Sequence, residues 1–146
     1  MRRSLLVVLG AFLLGTGFTG AASHQTPEKG GYVIEHDTSV AAPQPGPHNG
    51  GGETIAYSFF SRVPKLGLAF RKRALRPGAA IGYHEQKEDE IYYVLSGRGV
   101  MTLDGKDVVV EPGTAVLTRT GSSHGLKQTG REDLVIMITY MVPVKP

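Results

Sequence analysis

Gly78-Ala79-Ala80-Ile81-Gly82-Tyr83-His84-Glu85-Gln86-Lys87-Glu88-Asp89-Glu90-Ile91-Tyr92-Tyr93-Val94-Leu95-Ser96-Gly97 sets two β-prone runs on either side of a charged turn. Alternate residues of a strand share a face, so His84 and Gln86 point the same way. Glu90 opens the following strand, and a hairpin through 87–89 brings its carboxylate beside them. Tyr92 has the parity of Glu90 and faces inward, while Tyr93 faces away. A second imidazole, His124, comes after Gly121 and one further hairpin. Imidazoles and a carboxylate converging on one point form the donor set that a divalent first-row metal takes.

Outward from this stretch the texture stays the same. Short β-prone runs cover 54–60, 66–75, 81–84, 90–96, 99–103, 107–110, 114–118, 124–128 and 134–142. Turn residues stand between them, and Asp104-Gly105 is the best hairpin because it accepts the positive φ angles of a tight turn. No run shows the 3.6-residue period of an amphipathic helix. Regular short strands at this spacing predict an all-β sandwich or barrel over residues 54–146.

The residues now support a resemblance. Gly78, five residues, His84, one residue, Gln86, three residues, Glu90, six residues and Gly97 resemble the first motif of the cupin family, G-x5-H-x-H-x3-4-E-x6-G. Gly113, Gly121 and His124 hold their places in the second motif, with Arg119 where proline is usual and Gln128 where asparagine is usual. The resemblance implies a cupin-type jelly-roll β-barrel, a double-stranded β-helix. It also implies metal ligands at His84, Gln86, Glu90 and His124. The departure is Gln86, where the family has histidine; an amide oxygen is a neutral, harder donor than imidazole. The cofactor expected is a divalent metal, Mn2+ or Fe2+ before Zn2+ or Ni2+. A metal-free ligand site and a set of polar groups satisfying one another are the two alternatives.

The remaining polar residues divide in the same way. Tyr92 is a candidate hydrogen-bond or proton donor to a substrate, or a packed core tyrosine. Arg119, placed at the barrel mouth by family analogy, is a candidate grip for a carboxylate, or a solvated loop residue. Gln128 shares the parity of His124, although a glutamine at a strand end is usually exposed. Arg71, Lys72, Arg73 and Arg76 read as a solvated edge strand guarded by charge. His24, His36 and His48 are scattered through a tail without apolar periodicity and do not count as ligands.

That tail, 23–53, is rich in proline, glycine and serine and predicts a flexible segment, with Tyr32-Val33-Ile34 as its one strand-forming exception. Before it, Met1-Arg2-Arg3, the apolar run from Leu5 to Leu14 and the small residues Gly20-Ala21-Ala22 read as a signal peptide over 1–22. The paired arginines are compatible with twin-arginine export. A run of about ten apolar residues is half of what a bilayer span takes. The chain has no cysteine, which removes disulfides, thiolate ligands and a lipobox anchor. An exported product, periplasmic or secreted, is the expectation.

Taking Arg2 and Arg3 from the 16 basic residues leaves 14 against 13 acidic ones. A nearly neutral body lacks the basic surface a general nucleic-acid binder needs. Two function classes remain: a metal-dependent enzyme acting on a small organic molecule, of the dioxygenase, lyase or isomerase kind, and a module that binds a small ligand without turnover. The family resemblance further implies a homodimer, with contacts through the N-terminal strand and the apolar final strand.

Overall fold

The structure, a computed structural model, describes residues 30–144. The expected signal peptide over 1–22 and His24 lie outside the described residues. The compact unit runs from Val33 onward. It comprises a single helical turn α1 (Asp37–Val40) and ten strands: β1 (Ala41–Pro45), β2 (Glu53–Phe59), β3 (Leu68–Leu75), β4 (Ala80–Glu85), β5 (Glu90–Ser96), β6 (Gly99–Leu103), β7 (Lys106–Val110), β8 (Ala115–Thr118), β9 (Ser123–Gln128) and β10 (Leu134–Met141). They form two antiparallel sheets, ordered β1-β2-β3-β10-β5-β8 and β4-β9-β6-β7, in a jelly-roll barrel. Among the described residues no helix is long and apolar enough to cross a membrane.

All nine sequence-read runs are strands, displaced at their ends by two residues at most. The N-terminal segment departs from expectation. Tyr32-Val33-Ile34 is not a strand, whereas Ala41–Pro45, read as part of a flexible tail, pairs along its length with β2. Its two prolines sit on the outer edge of the sheet, where a missing N–H interrupts no ladder. Side-chain contacts add to the backbone pairing: Lys72 pairs with Asp37, and the Phe60 N–H donates to the Glu35 carboxylate. Composition alone misses contacts of this kind.

The Asp104-Gly105 hairpin has the expected geometry, with φ of 46° and 79°. Only glycine takes such a φ at little cost. Gly105→Ala is therefore expected to destabilise the protein by about 1 kcal/mol, read as a lower urea midpoint at unchanged slope.

Several strands cross from an apolar end of the barrel to a polar one. Leu75, Val94, Leu126, Leu134 and Ile136 belong to the buried core. Farther along the same inward faces stand Arg73 and Arg71 on β3, Tyr92 and Glu90 on β5, His124 on β9, and Tyr140 on β10. The basic residues of β3 therefore do not guard an edge. β3 lies between β2 and β10, and Arg73 is only 8% exposed. Read as a charged run, the strand looked solvated; its pairing on both sides buries Arg73, while Arg71 stays exposed and lines the cavity. The final strand is likewise enclosed, between β3 and β5, so its hydrogen-bonding edges are both used.

Candidate functional site

A register shift in β4 builds the site. Ile81 pairs with Leu126 and His84 with His124, so Gly82 and Tyr83 together oppose Gly125. This bulge reverses the parity of the strand: Ile81 faces the core, Tyr83 faces solvent, and His84 and Gln86 turn inward. A regular strand would have sent Tyr83 and Glu85 inward in their place. The bulge also brings the His84 Nδ1 to 2.8 Å from the Gly82 carbonyl. His84 and His124, direct cross-strand partners, have ring centroids 4.5 Å apart.

His124 is fully buried, and its Nε2 lies 2.9 Å from the Tyr92 hydroxyl and 3.5 Å from the Glu90 carboxylate. Burial, with the two other imidazoles adding to it, lowers the His124 pKa to about 4, so the ring is neutral at neutral pH. Burial raises the Glu90 carboxyl above its usual range, and burial followed by the Glu90 charge holds the Tyr92 hydroxyl far above its own. Tyr92 therefore stays protonated, with its hydroxyl against the His124 imidazole. The His124 Nδ1 has no hydrogen-bond partner in the structure.

The cavity above this network has a volume of about 540 Å3 and is lined by His48, Arg71, Arg73, His84, Gln86, Glu90, Tyr92 and Tyr140, among others. Arg73 donates to Thr54 Oγ1 at 2.7 Å and to Gln44 Oε1 at 3.3 Å, and the Arg71 guanidinium stands 5.2 Å from the centre of the Tyr140 ring. Neither arginine forms an ion pair among the described residues, whereas Lys72 of the same cavity pairs with Asp37. A nearly buried guanidinium with only neutral acceptors is an electrostatic deficit that an anion would fill.

Of the expected site residues, His84, Gln86, Glu90 and Tyr92 line one cavity and His124 lies directly beneath. Arg119 is elsewhere. It pairs with Asp89 at 2.8 Å in the turn region, is largely exposed, and does not line the cavity. Gln128 is buried at the other end of β9, where it accepts from the Gly78 N–H and donates to the Gly130 and Glu132 carbonyls. Two contributors went unread in the sequence. One is the Arg71/Arg73 pair; the other is His48, whose ring stacks on His84 with centroids 3.5 Å apart and planes 5° from parallel.

The arrangement does not fit the expected metal. Among the described residues no three histidine, aspartate or glutamate side chains come together as a coordinating group. The imidazole nitrogen of His124 that faces Glu90 is engaged by a phenol hydroxyl. Gln86 stands in place of an imidazole, and His84 Nδ1 is taken by the Gly82 carbonyl.

Comparison with known proteins agrees with the fold. The family model for the cupin domain matches residues 73–140. An oxalate-binding protein of Thermotoga maritima is 42% identical over 74 residues, covering 50% of this chain and 61% of that one. An uncharacterized protein of Methanocaldococcus jannaschii is 34% identical over 55 residues, covering 38% and 44%. The chain thus aligns with less than two thirds of either curated relative. Among solved structures, a predicted oxalate decarboxylase of Thermotoga maritima superposes with a TM-score of 0.69 at 28% identity, over 76% of this chain and all of that one. The polyketide cyclase RemF of Streptomyces resistomycificus, at 19% identity and a TM-score of 0.64 over 79% and 82% of the two chains, shares the fold.

Proposed function

The chain belongs to the cupin superfamily, and from that premise we propose that its barrel binds a small dicarboxylate, oxalate or a near relative, without a resident metal. The observation that carries this reading is Arg73, 8% exposed at the cavity wall and lacking a carboxylate partner among the described residues. Arg71 lines the same wall two residues away on the same face. Two guanidiniums offer planar donor forks suited to a carboxylate at each end of a short ligand. Tyr92, held protonated, adds a neutral donor below. Support also comes from the Thermotoga maritima relative that bears the name oxalate-binding protein.

The residues have defined parts in binding. Arg73 and Arg71 neutralise the ligand, and burial raises the Glu90 carboxyl above its usual range. The Tyr92 hydroxyl holds the His124 ring through its hydrogen bond to Nε2. The family association with metal-dependent reactions leaves a metal-dependent enzyme as the competing reading. The ten-residue apolar run behind a basic start supports an exported protein.

Isothermal titration of chelator-treated protein with oxalate is the test. A saturable exothermic isotherm near one equivalent is expected, unchanged on adding Mn2+. Oxalate binding that appears only after Mn2+ or Fe2+ is loaded would overturn the metal-free reading. Export is checked separately: intact mass of the protein from the periplasm or medium is expected to begin near Ser23, and recovery of the full chain from the cytoplasm alone would refute it.

A further inference from the structure

We infer that His48 is a ligand-contacting residue of this site, and that it sets the length of dicarboxylate the cavity accepts. The inference rests on the dicarboxylate reading above but concerns a residue outside the stretch 73–140 that the family model matches.

The segment between β1 and β2 is tied to β4 by backbone hydrogen bonds. Gly82 N donates to the Pro47 carbonyl at 2.9 Å, Ala80 N to Gly51 at 3.1 Å, and Gly50 N closes on Pro47 at 3.0 Å. The approach is so close that side chains are excluded from both surfaces. A Cβ on Gly50 would lie 2.1 Å from the Ala80 carbonyl oxygen, and one on Gly82 would lie 1.9 Å from that of His48. His48 itself takes φ of 52° and Asn49 φ of 60°, left-handed backbone that costs each residue on the order of 1 kcal/mol. Strain of this kind persists only where the surroundings over-determine it, and it clusters at ligand clamps.

What the strain delivers is one imidazole at the cavity rim, flat against His84. Two parallel rings 3.5 Å apart cannot both aim in-plane lone pairs at one ion, so His48 does not replace the imidazole missing at position 86. A neutral imidazole does carry one N–H donor. His48 lines the same cavity as Arg71 and Arg73, so that donor is offered to a carboxylate of a ligand the arginines hold. A short dicarboxylate then fits under the stacked pair, whereas a longer one must displace it.

Titration of the full chain with oxalate, malonate and succinate tests this in four proteins: wild type, His48→Ala, His48→Phe and Gly82→Ala. His48→Phe keeps a ring to stack but loses the donor; Gly82→Ala keeps the donor but pushes the loop away. All three variants are expected to bind oxalate about tenfold more weakly and to lose most of the preference for oxalate over succinate. If His48→Ala and His48→Phe match wild type in affinity and preference while Arg73→Met abolishes binding, the inference fails and the dicarboxylate reading stands. If wild type binds none of the three acids, both fall. Should Gly82→Ala fail to fold, the two substitutions at the exposed His48 ring decide the matter alone.

Discussion

Arg73→Met is expected to weaken dicarboxylate binding by roughly thirtyfold to several thousandfold, the 2–5 kcal/mol that follows from removing one partner of a buried charge pair. The same substitution is expected to leave the protein as stable as wild type or more so. Arg73 is nearly buried and contacts only Thr54 and Gln44 through its guanidinium, so the free protein carries a desolvated charge with no counter-ion among the described residues. Burial and the neighbouring Arg71 depress its pKa, as expected of a cation held against its solvation preference. Methionine fills much of the volume without that penalty, and apolar replacements of buried ionic groups are often neutral or stabilising. Affinity and stability should therefore move apart. A guanidinium with a purely structural role would lose both together. Titration calorimetry and a urea midpoint on the same preparation read the two quantities, and a large fall in stability with unchanged affinity would remove Arg73 from the site.

Such a split follows from a division that the sequence displays only in part. The hairpin residues, the alternation of β5 and the motif spacing from Gly78 to Gly97 are local signals, and they place Glu90, Tyr92 and the strands along the chain. The inward turn of His84 and Gln86 was also legible, although its cause, the bulge at Gly82 and Tyr83, is a cross-strand property that β9 creates. A glycine inside a strand was the available hint. Arg71 and Arg73 were misread because a run of charges looks solvated until its neighbours are known; β2 and β10 flank it from distant parts of the chain. His48 was missed for a related reason. Glycine-rich sequence signals freedom when nothing packs on it and close approach when something does, and only Gly82, far along the chain, distinguishes the two cases.

Acidification reads the floor of the cavity. His124 has its pKa lowered from 6.5 to about 4, chiefly by burial, so the unfolded chain binds a proton that the folded protein refuses. A depressed histidine contributes stability that is fully present above pH 6.5 and drains away as pH falls toward 4. Linkage puts the loss at about 3 kcal/mol between neutral pH and pH 4. His48, lowered by burial and by His84, acts in the same direction. Glu90 opposes them: its carboxyl is raised, so its contribution is present below the ordinary glutamate range and is lost as pH rises through the raised value. Because the displacement of His124 is the large one, net stability should fall on the acid side. His124→Gln, which keeps a polar group of similar reach but cannot titrate, should flatten most of that slope whatever its own stability at pH 7. Urea midpoints from pH 7 to pH 4 in chelating buffer measure it. A wild-type slope that survives the substitution would mean that His124 does not lie desolvated against Tyr92, and the Tyr92 contact that occupies its Nε2 would go with it.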